Sequence, residues 1–302
     1  MNSAFQQQIE KAAVLLEALP YLQQFRGTTF LIKVGGSAME DPDLVRRLMR
    51  DVVFLELVGV NPVIVHGGGK AISAAMKTAG LSAEFVGGLR VTSDAAMELV
   101  ERTLSREINP GLVKSLIEFG GKALGVAGNE AFIGERMKAW SDQESREIEL
   151  GRVGKVVDIE LSKIEAAIST ETVPVLSPIA SERGTGLALN VNADLAAAAL
   201  ASKLKVAKLI YLSDVIGLMR DPRDEETLIP SIRTDEVEAL IEDGTIGGGM
   251  IPKLRSAVDA LEAGVGKVHM IDGRISHSLL LEIFTESGIG TEIIKPEPSP
   301  SL

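Results

Sequence analysis

Residues 30–37 read Phe30-Leu31-Ile32-Lys33-Val34-Gly35-Gly36-Ser37, and residues 62–70 follow the same plan with Pro62-Val63-Ile64-Val65-His66-Gly67-Gly68-Gly69-Lys70. Each is a short apolar run closed by a glycine turn and followed by helical periodicity, over 42–59 in the first case and up to Gly80 in the second. Apolar runs of this length, bounded by glycine, read as strands buried on both faces. Outward from this pair the alternation continues. Strands are expected at Lys122–Ala127, Val173–Leu176, Leu209–Leu212, 267–271 and near 290–294. Helices are expected over 93–119, 192–204, 234–242, 251–263 and 276–285, the first of them interrupted at Asn109-Pro110. Residues 131–160 read as hairpin strands with charged faces. Strands alternating with helices predict an α/β fold, an open three-layer αβα sandwich around a central, mostly parallel sheet.

Upstream of the first strand, Phe5, Ile9, Ala12, Leu16 and Leu19 recur at helical spacing. Residues 5–25 therefore carry one apolar helical stripe, which Pro20 kinks or breaks in two. Such a stripe must bury itself, either on its own domain or against another subunit. The Ser-, Gly- and Pro-rich stretch from Leu176 to Asn190 is the expected lobe boundary. The proline-rich end, Lys295 to Leu302, reads as a frayed tail.

The chain has 302 residues, a formal net charge of -11 and a pI near 5.0. That balance argues against a nucleic-acid partner, whose phosphates call for basic surface, and requires any anion site to be positive locally. With no cysteine, disulfides, thiolate-bound zinc and cysteine nucleophiles are excluded. His66, His269 and His277 are too scattered to suggest a metal site. The first residues lack a basic stretch followed by an apolar run, and no apolar stretch is long enough to span a bilayer. The expectation is a soluble, cytoplasmic protein without a membrane partner.

In an open parallel sheet, ligands bind beyond the carboxyl ends of the strands, where glycines let backbone amides approach an anion. Neither glycine turn is a Walker A loop or a Gly-x-Gly-x-x-Gly fingerprint. Lys33 ends an otherwise apolar strand, so it calls for an anionic partner. Asn190-Val191-Asn192-Ala193-Asp194 opens an alanine-rich helix. A cap explains one of its polar residues, but not three at alternate positions. Gly247-Gly248-Gly249-Met250-Ile251-Pro252-Lys253 sets a second lysine at a helix start.

Taken together, Lys33-Val34-Gly35-Gly36-Ser37, His66-Gly67-Gly68-Gly69, Gly88-Leu89-Arg90-Val91-Thr92, Asn190 to Asp194, Leu212-Ser213-Asp214-Val215 and Gly249 to Lys253 resemble the amino-acid kinase family. The match runs in order from about residue 27 to residue 294, and within the family it is similar to the branch acting on N-acetylglutamate. Val34 departs from the aromatic residue that many close relatives carry, and nothing is carried over for residues 128–140. The resemblance implies ATP, with Mg²⁺, as phosphoryl donor and N-acetyl-L-glutamate as acceptor. Lys33, Lys253, Asp194 and Gly36 would be catalytic. Gly68, Gly69, Arg90, Asn190 and Asn192 would bind the acceptor. Lys33, Gly35, Asp214, Gly217, Gly249 and Lys253 would bind ATP. No protein side chain is expected to hold metal.

The resemblance also implies an N-terminal oligomerisation helix (1–26), a substrate lobe (27–184), an ATP lobe (185–294) and a tail (295–302). The N-terminal helix, His269 to Arg274 and Glu282 to Gly290 resemble the arginine-inhibited branch, in which dimers join into a hexamer, a trimer of dimers. Tyr21, His269, Glu282 and Gly288 are the arginine candidates, and a PII-type signal protein is a candidate partner. The rival readings are a kinase for an aminoadipate derivative, aspartate or carbamate, and a non-catalytic arginine or nucleotide sensor.

Overall fold

The computed structural model describes residues 3–141, 145–221 and 223–296. The last residues of the expected tail, 297–302, lie outside the described residues. In chain order the strands are β1 (Thr29–Val34), β2 (Asn61–His66), β3 (Phe85–Val86), β4 (Leu89–Arg90), β5 (Ala123–Val126), β6 (Phe132–Ser141), β7 (Arg146–Ile159), β8 (Val173–Leu176), β9 (Ile179–Glu182), β10 (Ala188–Val191), β11 (Lys208–Ser213), β12 (Leu218–Met219), β13 (Leu228–Ile229), β14 (Ser231–Arg233), β15 (Lys267–Asp272) and β16 (Thr291–Ile294). The helices are α1 (Ser3–Glu17), α2 (Leu19–Phe25), α3 (Pro42–Leu57), α4 (Gly69–Thr78), α5 (Asp94–Glu101), α6 (Asn109–Glu118), α7 (Ser162–Ser169), α8 (Ala193–Leu204), α9 (Val237–Glu242), α10 (Met250–Glu262) and α11 (Ser278–Phe284).

Eight strands form the central sheet in the order β14-β16-β15-β11-β1-β2-β8-β5. Every neighbouring pair is parallel except β15 with β16. This is the expected mostly parallel sheet. β1 lies between β2, which follows it, and β11, which the chain reaches much later, so the strand order reverses at β1. A crevice opens at the carboxyl edge of such a switch point.

Side-chain alternation along β1 assigns the two faces. Phe30, Ile32 and Val34 join a core with Met49 of α3, Leu112 of α6 and Leu279 of α11. Leu31 joins the opposite core with Ala197 of α8 and Leu254 of α10. Lys33, two residues beyond Leu31, shares that second face and extends toward the first turns of α8 and α10.

One sequence expectation changes. Asn109-Pro110 does not interrupt the helix. Residues Arg102–Ile108 form a π-helical segment that runs from α5 into α6, and the Asn109 N–H reaches back to the Leu104 carbonyl. Pro110, which has no N–H, falls where the π-helical bonding gives way to the α-helical bonding of α6. The stretch 176–190 is the expected lobe boundary. It contributes β9 and β10, which close a four-stranded barrel with β6 and β7 in the order β10-β7-β6-β9. The proposed division at residues 184/185 falls in the turn joining β9 to β10.

Pro20 does break the N-terminal helix, and the two pieces differ in packing. Phe25 of α2 is buried against Phe30, ring centroids 5.2 Å apart. On α1, by contrast, Phe5, Ile9, Leu15 and Leu16 are all more than half exposed, so packing on its own domain is not what buries this stripe. Among the described residues no helix is long and apolar enough to cross a membrane.

Where the barrel meets the sheet, a Cβ at Gly128 would drive into the carbonyl oxygens of Ser177 and Ile179. These are backbone atoms and cannot rotate away. Gly128→Ala should therefore cost about 1–3 kcal/mol. Chemical denaturation checks this, and an unchanged midpoint would contradict the packing described.

Candidate active site

The alternation that carries Lys33 off the core face ends at a carboxylate. Asp194 lies in the first turn of α8, whose start is fixed by Asn192. The Asn192 side-chain oxygen accepts the N–H groups of Asp194 at 2.8 Å and Leu195 at 3.2 Å. Lys33 Nζ stands 2.8 Å from Asp194 Oδ1, and Lys253 Nζ, from the first turn of α10, stands 3.6 Å from Oδ2. All three side chains are largely buried. Burial pushes the Asp194 carboxyl up, but Lys33 and then Lys253 pull it down further, and it ends below the ordinary aspartate range. The trio keeps one positive charge in excess, so it suits a further anion.

Glycines give this cluster its shape. The Lys33 side chain folds over Gly35, whose Cβ, if present, would collide with the ammonium end. Gly36 has φ +66°, a conformation that favours glycine, and packs beside the Asp214 carboxylate. The Gly67 N–H donates to the Val34 carbonyl at 2.7 Å, tying the second glycine turn to the first. Gly68 then precedes α4, whose first turn faces the same space.

That space is a cleft of about 210 Å³. Of the sequence-derived candidates, Lys33, Gly35, Gly36, Gly68, Gly69, Arg90, Asn190, Asn192 and Asp194 all line it. Arg90 is buried, its guanidinium 4.6 Å above the Phe85 ring, donating at 2.8 Å to both the Gly69 carbonyl and the Ser73 hydroxyl. Burial lowers its pKa, and among the described residues it has no carboxylate partner. Asn190 donates to the Thr92 hydroxyl at 3.1 Å, which itself donates to the Arg90 carbonyl.

Lys253, Asp214, Gly217 and Gly249 do not line this cleft, and Lys253 meets it through Asp194. Asp214 borders it through Gly36, whereas Gly217 packs tightly against Thr291 and Leu228. Gly249 sits at the start of α10 with open space around it.

Two features escaped the sequence reading. Tyr211 is fully buried beside Lys33 in the sheet, with its ring 6.0 Å from Lys253 Nζ and its hydroxyl 3.3 Å from Ser256 Oγ. Its signal was an aromatic side chain in an otherwise aliphatic strand. The ribbon β3–β4, which carries Phe85 and Arg90, turns at Gly87-Gly88, both with positive φ. Gly-Gly between two short runs is a hairpin cue.

The model of the amino acid kinase family matches residues 28–272. The chain belongs to the amino acid kinase family. An acetylglutamate kinase of Akkermansia muciniphila is 58% identical over 297 residues, covering 98% of this chain and 100% of the relative. An acetylglutamate kinase of Methanocaldococcus jannaschii is 47% identical over 292 residues, covering 95% of this chain and 97% of that one. Among solved structures, an N-acetylglutamate synthase from Neisseria gonorrhoeae, complexed with coenzyme A and N-acetyl-glutamate, superposes with a TM-score of 0.83 at 25% identity. It covers 95% of this chain, which in turn spans only 64% of that longer protein.

This amino acid kinase has a second cavity, of about 790 Å³, which shares no lining residue with the cleft and is lined in part by Tyr21, His269, Glu282 and Gly288, the four arginine candidates. Glu282 is already engaged there. Its Oε1 lies 2.7 Å from His269 Nδ1, and its Oε2 accepts the N–H groups of Ile289 and Gly290. The other ring nitrogen of His269 lies 2.9 Å from the Lys208 ammonium, whose pKa burial lowers to about 8.

Histidine does not reach the cleft. His66 is fully buried behind it, and burial lowers its pKa to about 4 against a backbone bond to Gly67 that works the other way. It is neutral near pH 7. Turnover should show no inflection near the ordinary histidine pKa of about 6.5. Stability should fall as pH drops from about 6.5 to about 4, because the unfolded chain takes up the proton first. A turnover inflection in that window that disappears in His66→Gln would overturn this assignment.

Proposed function

We propose that this chain transfers the γ-phosphoryl group of ATP to the side-chain carboxylate of N-acetyl-L-glutamate. What carries the reading is the convergence of Lys33 and Lys253 on Asp194 at one end of a cleft whose other end holds Arg90. A glutamate-like carboxylate has a pKa of about 4.3 and is ionised near neutrality, so it can attack phosphorus without a general base. One carboxylate oxygen bonds to the γ-phosphorus as the bond to the β–γ bridging oxygen breaks. The products are an acyl phosphate and ADP, and no proton is transferred. The work of the protein is then positioning and charge neutralisation.

Lys33 and Lys253 offset the charge on the migrating group from two sides. Asp194, already paired twice, holds them apart and in place, and is poorly suited to act as a base. Backbone N–H groups at Gly36 and Gly68 add hydrogen bonds. Arg90, buried without a carboxylate of its own, suits the α-carboxylate of the acceptor. Asp214 and Gly217 belong to the nucleotide side. Among the described residues no cluster of three or more His, Asp or Glu could hold a metal. Mg²⁺ would enter on ATP and offset phosphate charge. A cytoplasmic location is part of the same proposal.

Lys33→Ala and Lys253→Ala should each lower kcat by at least about a hundredfold with KM for the acceptor little changed. Arg90→Lys should chiefly raise that KM. Hydroxamate trapping of the acyl phosphate, run with ATP across N-acetylglutamate, aminoadipate derivatives, aspartate and carbamate, measures all three and separates the rival substrates. Near-normal turnover in both lysine variants would sink the assignment.

We propose further that the bare face of α1 meets its counterpart on another copy, joining dimers into a hexamer, and that arginine inhibits from the second cavity. Glu282 is committed to His269 and two backbone N–H groups, so an arginine guanidinium there must share those oxygens or draw on Glu286 and Glu292, which stand on the same cavity wall. Deleting residues 1–25 should leave dimers with a weakened arginine response. Hexamers persisting in the truncated chain, seen by light scattering, would refute this part.

A further inference from the structure

The aliphatic lining of the cleft includes Ile72, Leu89, Leu104, Val153 and Pro178. Four of these sit on or beside regular elements. Leu104 comes instead from the π-helical segment Arg102–Ile108, and its orientation depends on that irregularity. We infer that this segment sets the length of acyl group the cleft accepts, with Leu104 as the residue that closes it. The inference rests on the reading of the substrate as an N-acylated glutamate.

π-Helical hydrogen bonding inserts one extra residue into a turn and rotates the neighbouring side chains out of α-helical phase. Here the i to i+5 bond runs from the Asn109 N–H to the Leu104 carbonyl itself. The rotated segment lies directly on the second glycine turn. A Cβ at Gly68 would fall 2.6 Å from Leu104 Cδ2 and 2.7 Å from Ile108 Cδ1. Gly68 is thus a glycine for two reasons, its backbone facing the cleft and Leu104 resting on its other side. Leu104 is only 1% exposed while bordering the cleft, so it cannot swing into solvent to make room.

Side chains on either side of Leu104 pin the segment. Ser105 and Ser177 share a hydrogen bond of 2.8 Å, and the Ser177 hydroxyl accepts the Gly128 N–H at 3.0 Å. Asn109 donates to the Val175 carbonyl at 2.8 Å and lies 3.3 Å from His66 Nε2. These contacts tie the π segment to the carboxyl ends of β2 and β8, the strands that frame the cleft. Thr103 of the same segment is 1% exposed, and among the described residues its hydroxyl has no hydrogen-bond partner.

The cleft is small, and close-packed walls of this kind resist an added methylene. One methylene in such a pocket is worth roughly tenfold or more in selectivity. The test compares kcat/KM for N-acetyl-, N-propionyl- and N-butyryl-L-glutamate, by hydroxamate trapping, in the full-length chain and in Leu104→Ala. The butyryl-to-acetyl ratio should rise roughly tenfold or more in Leu104→Ala. The milder Leu104→Val, which keeps the core filled, should move it in the same direction by less. A ratio within about twofold of the unaltered chain in variants that melt normally, or an equal loss on all three substrates, would overturn the inference while leaving the functional reading intact. If the unaltered chain phosphorylates none of the three, the functional reading fails and takes this inference with it.

Discussion

Asp194 is a carboxylate held between two ammonium groups in a largely buried position, and the geometry of the site depends on that contact. Isolated, any of the three charges would be costly to bury, and removing one partner from a buried pair typically costs about 3–5 kcal/mol. Together, Lys33, Asp194 and Lys253 are compensated enough to be buried and still carry a surplus positive charge into the cleft. The central strand, the helix after β10 and the helix after the glycine run are drawn to one point by this contact. It also explains how a protein with a net charge of -11 presents a positive site. The surplus is local, and the surrounding low-dielectric walls limit screening by the acidic surface.

Around this contact, absent side chains matter as much as those present. Gly35 leaves room for the lysine to fold back, Gly36 supplies a positive φ beside Asp214, and Gly68 accepts the weight of Leu104 and Ile108. Each glycine answers a different steric demand, which is why two similar-looking turns are not interchangeable. The π segment lines the cleft with Leu104, and the β3–β4 ribbon lines it with Phe85, Leu89 and Arg90.

The second cavity follows a different logic. Glu282, His269 and Lys208 form a chain in which a neutral imidazole bridges an acid and a base. It lies where α2 packs on α11, with Tyr21 and Phe284 edge to face at 6.4 Å between ring centroids. Any rearrangement of the N-terminal helices would therefore be felt at that cavity, through contact rather than through distance.

The alternation of buried strands and amphipathic helices was readable because burial on two faces and the 3.6-residue period leave local marks in the chain. Lys33 in an apolar strand, the alternating polar residues 190–194 and the lysine after the last glycine run were equally visible, since each breaks a local pattern. What no local pattern holds is the pairing of distant segments. β9 and β10 are four residues each, too short for a period to register, and became strands only because β6 and β7 offered edges to close a barrel. The π phase that turns Leu104 toward Gly68 depends on Ser177, His66 and Val175, which arrive from other strands. The residue types the site needs were written in the sequence. Their convergence on one carboxylate was decided by the tertiary fold, because only that brings β1, α8 and α10 within reach of each other.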